Sequence, residues 1–246
     1  NQKSMIKKNN KIKILISPHD FYDAPHCWGD HVLFSDYYEW LKYIYDLSIK
    51  TNYDWYIKTH PDLVGKLGVY QRKSRVIIDE MFNNQKNVTI LPPNYSNYRI
   101  VKDKIDFIIT CHGSVAYEFP YFKIPTITCS ESNPFINCKF NIHAKSKNHL
   151  KYIIFNLKKF KKNSSIKKEE IYKYFANRFV FYNTNNWLFN FLEYANYLKG
   201  WYRRDGPELY DYWLKNYEKM NTKKINLTID KYIKSGDILM NKEHLN

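Results

Sequence analysis

Glycine is scarce in this chain, 7 residues in 246, and the glycine patterns that cradle phosphates are missing with it. Neither GxGxxG nor GxxxxGK[ST] occurs, which excludes the common dinucleotide and P-loop sites. No GxSxG elbow is present, so a serine hydrolase of that type is excluded. No HExxH pair is present to hold a catalytic zinc on a helix. The four cysteines, Cys27, Cys111, Cys129 and Cys138, form no CxxC or Cys/His zinc pattern and are expected as reduced thiols. No apolar run approaches the roughly 18 residues of a membrane span. The opening NQKSMIKKNNKIK has no apolar h-region, so a secretory signal is not expected and the compartment expected is the cytoplasm.

What the chain does have is enough apolar material to fold and an excess of positive charge. Hydrophobic residues are 44% of it, which argues against global disorder. Lys and Arg number 39 against 24 Asp and Glu, a formal net charge of +15. Such a balance favours an anionic partner. A coding bias towards Lys, Asn, Ile, Tyr and Phe accounts for it equally well, and both explanations stand. Nucleic acid is not expected as the partner. The aromatic residues, 18% of the chain, recur at core spacing in helices and form no RNA-binding sheet motif.

From residue 11 to 128 short apolar runs alternate with amphipathic segments. Strands are expected at Ile12–Ser17, Asp54–Lys58, Val88–Leu91, Asp106–Thr110 and Pro125–Cys129. Helices are expected at about Ser35–Lys50, with Ser35 as N-cap, at Tyr70–Phe82, at Ser96–Val101, and from Ser114 to Phe122. Strands this apolar are buried on both faces, so the reading is an α/β fold, a doubly wound parallel sheet. The domain reading is a linker or tail at 1–10, a Rossmann-like domain at 11–145, a helical extension packed on it at 146–221, and a polar tail at 222–246. Within the extension, Lys158–Lys168 reads as a solvated loop.

Ligands of such sheets sit at the carboxyl ends of the strands, and the unusual residues of this chain fall in those loops. Lys58-Thr59-His60-Pro61 ends the second strand with an ammonium and an imidazole, both able to donate to phosphate oxygens. Thr110-Cys111-His112-Gly113-Ser114 opens a helix whose amides suit an anion. There Ser114 either caps the helix in a capping box or donates to a phosphate, and Glu118 is placed to accept hydroxyls. The loop from His19 to His31 holds three His (His19, His26, His31) and three Asp (Asp20, Asp23, Asp30) in thirteen residues. Its spacing matches no metal-ligand motif, so Asp23, His26, Asp30 and His31 are read as candidate general bases and no metal is expected.

Taken together, strand–KTHP followed by strand–TCHGSVAYEFPYFKIPTI, with DAPHCWGDHVLFSDYYEWL before them, resembles the nucleotide-binding half of GT-B glycosyltransferases. The resemblance is to bacterial capsule and surface-polysaccharide biosynthesis proteins, related to the Kdo-, sialyl- and polyglycerol-phosphate transferase groups. It covers about residues 12–145. It implies that Lys58, His60 and Pro61 meet the phosphate of a nucleotide-sugar donor, that His112, Gly113 and Ser114 meet the phosphate or sugar, and that Glu118 meets the ribose. It implies transfer to a glycan or lipid-linked glycan acceptor without a cofactor or metal, in a cytoplasmic protein with peripheral contact to the anionic inner membrane. The chain departs from the pattern in two ways: Lys123 stands where a Gly is usual, and only one of the two Rossmann-like halves is expected, so the other half is missing or supplied by a homodimer. On the same scaffold a CDP-linked phosphopolyol transferase, and from another class a non-catalytic sugar-nucleotide or glycan-binding module, remain open.

Overall fold

The computed structural model describes residues 3–22, 33–60, 66–130, 136, 138–163 and 166–175, with scattered positions between 226 and 234. The chain divides into two compact units, residues 1–171 and 172–246, and the described strands lie in the first. Its elements are β1 (Lys13–Ile16), α1 (Tyr37–Ser48), β2 (Asp54–Lys58), α2 (Lys66–Phe82), β3 (Val88–Leu91), α3 (Asn97–Lys102), β4 (Phe107–Thr110), α4 (Val115–Tyr121), β5 (Thr126–Thr128), β6 (Asn141–His143), α5 (Lys147–Phe155) and α6 (Leu157–Asn163). Among the described residues the sheet has six strands in the order β3-β2-β1-β4-β5-β6, and every pairing is parallel. This is a Rossmann-like, doubly wound α/β fold.

The continuous apolar character of the strands follows from burial on both faces. All four residues of β1 and of β4 are buried. Ile14, Ile16 and Ile109 pack into one cluster with Trp40 and Leu41 of α1, Ile78 and Phe82 of α2, and Leu150 and Ile153 of α5. Leu15, Tyr56 and Ile108 point the other way, into a cluster with Ile100 of α3 and Phe119 of α4. A residue's parity along a strand therefore decides which helical layer it meets. Among the described residues no helix is long and apolar enough to cross a membrane.

Several boundaries differ from the sequence expectation, each for a local reason. The N-cap of α1 is Asp36 rather than Ser35: its carboxylate Oδ1 accepts the Glu39 amide at 2.7 Å. Helix α2 begins at Lys66, ahead of Tyr70. Strand β6 was not expected, because Asn-Ile-His is a three-residue, half-buried edge segment with no apolar run to announce it. It pairs with β5 through Ile127 and Ile142. Part of the basic stretch read as a loop, up to Asn163, is helix α6. Residues 3–10, read as a linker, are tied to the sheet. Ile6 is buried in the second cluster, the Met5 amide donates to the Tyr95 hydroxyl at 3.1 Å and the Lys7 amide to the Tyr56 hydroxyl at 2.9 Å.

Glycine scarcity leaves a mark at two helix ends. Lys104 and Lys123 both lie in the left-handed region, at φ 63° and 60°. After α3, the Lys104 amide reaches the Val101 carbonyl and the Ile105 amide the Ile100 carbonyl. After α4, the Lys123 amide reaches Pro120 and the Ile124 amide reaches Phe119. These are Schellman pairs, each closed by an apolar contact inside the second cluster, Ile100 with Ile105 and Phe119 with Ile124. Lysine occupies the position that favours glycine in both, and Lys123 is the very residue that stands in for Gly in the resemblance.

Candidate active site

The strand order reverses between β1 and β4, so the crevice of this sheet opens over their carboxyl ends. The register pairs Ile16 with Ile109, and the Ser17 amide donates to the Ile109 carbonyl at 2.9 Å. Continuing that register sets His19 beside His112. The His112 amide donates to His19 Nε2 at 3.3 Å, and the two rings lie 4.4 Å apart, tilted. Tyr37, the first residue of α1, stacks on His19 at 4.5 Å and places its hydroxyl 3.1 Å from His112 Nε2.

A backbone amide can only donate, so His19 Nε2 is unprotonated and the ring is neutral. Burial holds its pKa down, to about 3, with the neighbouring His112 and His60 adding to the effect. The same turn is fixed from below. The Gly113 amide donates to Thr110 Oγ1 at 3.2 Å, and a Cβ at residue 113 would sit 3.0 Å from that oxygen. A side chain at residue 113 would press on the Thr110 hydroxyl, which would have to give way by a few tenths of an ångström.

Two polar groups extend from this turn on opposite sides of the sheet. On the α3–α4 side, Glu118 accepts the Asn97 side-chain amide at 2.9 Å and faces the charge of Lys58. Burial pushes the Lys58 ammonium below its usual range, and the Glu118 carboxylate opposes that shift. On the α2 side, the Gln71 carboxamide nitrogen lies 3.2 Å from His60 Nδ1. Asp20, directly after His19, accepts the Ser74 hydroxyl and the Tyr22 amide through Oδ1, and Ser74 Oγ in turn accepts the Phe21 amide at 3.1 Å.

Of the residues singled out in the sequence, the structure therefore gathers His60, His112, Gly113, Lys58 and Glu118 around one sheet edge. Lys58 sits with Glu118 and His60 with Gln71. Ser114 is exposed at the start of α4, makes no side-chain cap bond, and Glu118 turns to Asn97. The capping-box alternative does not hold, and the hydroxyl faces solvent. Asp23, His26, Asp30, His31 and Pro61 lie outside the described residues. Among the described residues no group of three or more His, Cys, Asp or Glu side chains is arranged to hold a metal ion. Sequence reasoning missed Tyr37 and Gln71 as members of the site, and named His19 only as the first residue of the loop after β1. The signal for His19 was its place two residues beyond the strand that flanks the switch point; the contributions of α1 and α2 had none.

No protein-family model and no curated protein sequence matches the chain. Among solved structures it is similar to a UDP-GlcNAc 2-epimerase from Neisseria meningitidis bound to UDP-GlcNAc, at 14% identity and a TM-score of 0.45, over 70% of this chain and 44% of that one. It is also similar to the wall teichoic acid polymerase TagF, at 17% identity and a TM-score of 0.37, over 70% of this chain and 40% of that one. The chain spans less than half the length of either protein it resembles.

Proposed function

We propose that this chain is the donor-binding part of a glycosyltransferase of the GT-B kind, moving a sugar from a nucleotide-activated donor to a growing capsular or surface polysaccharide. The observation that supports this reading most directly is the convergence of His60, Lys58 and the Gly113–Ser114 turn on the switch point of a parallel sheet, with Glu118 beside them. In this reading His60 Nε2 and the Lys58 ammonium take the charge that builds on the leaving nucleotide, and the exposed Ser114 hydroxyl adds a neutral donor. Glu118 keeps one carboxylate oxygen on Asn97 and offers the other to ribose hydroxyls. The ligand loops carry no Asp-x-Asp pair, so the cations of the protein do the work for which other transferases use a divalent ion.

The general base is assigned to the loop after β1, with Asp23 and His26 ahead of Asp30 and His31. The acceptor is a glycan or lipid-linked glycan at the anionic inner membrane, and the second half of the enzyme comes from a further domain or a second copy of the chain. Calorimetric titration with CMP, CDP, UDP and GDP tests the reading. One of them is expected to bind, and His60→Ala is expected to weaken it by about 1.5–3 kcal/mol, the worth of a hydrogen bond to a charged group. Undiminished affinity in that variant overturns the assignment. A strict preference for CDP favours transfer of a phosphopolyol on the same scaffold.

A further inference from the structure

In a parallel sheet every strand is entered from the same edge, here the one opposite the candidate active site. Each of the six strands is entered past an exposed lysine, two to four residues ahead of its first residue. These are Lys11 before β1, Lys50 before β2, Lys86 before β3, Lys104 before β4, Lys123 before β5 and Lys139 before β6. Lys104 and Lys123, standing where glycine is favoured, add their charge to an edge that the other lysines already make basic. Helix α6 brings the exposed Lys158 and Lys159 to it as well, since Lys161 in the same helix is paired with Asp106, directly before β4. The acids at the strand entries are engaged: Asp54 accepts the Asn9 side-chain amide at 2.6 Å, Asp103 the Tyr95 hydroxyl at 2.7 Å, and Asp106 the Lys13 amide at 2.9 Å. Exposed acids near this edge are fewer than its lysines: Asp46, Asp79 and Glu80 in the last turns of α1 and α2. The carboxyl edge mixes the two signs, Asp20, Asp36 and Glu39 with Lys145 and Lys147.

Apolar side chains stand among these lysines. Ile49 and Phe122, directly before Lys50 and Lys123, are 47% and 43% exposed, and Phe155, where α5 returns to this edge, is 43% exposed. Cations interleaved with exposed apolar side chains suit the interface of an anionic bilayer, where lysines meet lipid phosphates and apolar groups enter the layer beneath. A polynucleotide would take the lysines and leave Ile49 in water. We propose that this amino-end edge is the face by which the chain docks on an anionic lipid surface. Lys11, Lys50, Lys139 and Lys158 supply the charge, and Ile49, Phe122 and Phe155 the apolar contact. The orientation that follows holds the carboxyl edge, with Lys58 and Ser114, away from the bilayer and open to a nucleotide arriving from solution. The inference rests on the reading above for the place where the acceptor lies, and on the lysines and apolar side chains for the face.

The test is co-sedimentation of the full chain with vesicles of phosphatidylcholine alone and of phosphatidylcholine with about 30% phosphatidylglycerol. Binding is expected to the anionic vesicles only, and to weaken as salt rises. The double variant Lys11→Gln/Lys139→Gln is expected to bind them at least about tenfold more weakly, since each lysine near such a surface is worth roughly a fivefold change. Lys145→Gln/Lys147→Gln removes the same charge from the other edge and is expected to stay within about threefold of wild type. Ile49→Ser/Phe155→Ser is expected to bind several-fold more weakly with the salt dependence kept. No binding to anionic vesicles, or equal losses in the two lysine pairs, overturns the proposal. Unchanged binding in Ile49→Ser/Phe155→Ser, or tighter binding to a single- or double-stranded oligonucleotide than to the vesicles, overturns it in favour of a polyanion. Titrations with CMP, CDP, UDP and GDP separate the two readings. Nucleotide binding without vesicle binding sinks the docking face alone; vesicle binding without nucleotide binding sinks the donor reading alone.

Discussion

A histidine that accepts a backbone amide at a buried sheet edge cannot take a proton without breaking that bond. His19 is in this position, between Tyr37 and His112. Its pKa is pushed from 6.5 to about 3, so the unfolded chain binds this proton more readily than the folded one. Stability from His19 is therefore complete above pH 6.5 and is lost as the pH falls towards 3, at up to about 1.4 kcal/mol per pH unit. Urea unfolding from neutral pH downward reads this slope directly. His19→Phe keeps a ring to stack on Tyr37 but strands the His112 amide, so it is expected to cost about 1–3 kcal/mol at neutral pH. The variant should also flatten the acid limb of the profile. An unchanged slope would show that another group carries the proton.

At the scale of elements, caps decide what periodicity alone leaves loose. Asp36 accepts the Glu39 amide at the start of α1, so Asp36→Ala is expected to cost about 1 kcal/mol. Ser35→Ala should leave stability within about 0.5 kcal/mol, since a surface change away from any cap does little. At the far end of α4, Lys123 holds φ 60° as an L-residue. The strain of about 1–2 kcal/mol exceeds the extra chain entropy of glycine. Lys123→Gly is therefore expected to raise stability by about 0.5–1 kcal/mol in denaturant unfolding. A fall would mean that the lysine side chain makes up for its backbone. The same pattern at Lys104 argues that glycine scarcity, rather than function, put lysine at both positions.

At the scale of the whole molecule, the two halves of the sheet meet at β1 and β4, and the loops after them supply the site. A nucleotide bound there stabilises the folded state by mass action, about 2.7 kcal/mol at one hundred times its Kd. Thermal melting with CMP, CDP, UDP and GDP should show a rise in Tm for the cognate base. That rise is expected to persist in EDTA, because the donors assigned to the phosphates are Lys58, His60 and Ser114. A rise that vanishes in EDTA and returns with Mg²⁺ or Mn²⁺ would revive the metal reading of the loop after β1.

Which parts of this protein can be read from its sequence follows from the range of the forces involved. Strands β1 to β5 and the helices between them were legible, because short continuous apolar runs, alternating with amphipathic segments, stand out locally. The Lys58–His60 and His112–Ser114 loops were legible too, since parallel topology sends every strand end to one edge. Strand β6 was not, because its three residues owe their pairing to β5 and not to their own character. The partnership of Glu118 with Asn97 and the locking of His19 by Tyr37 and His112 arise from residues 18 or more positions apart. Contacts of that span are set by packing two helical layers against one sheet, and only the tertiary structure decides them.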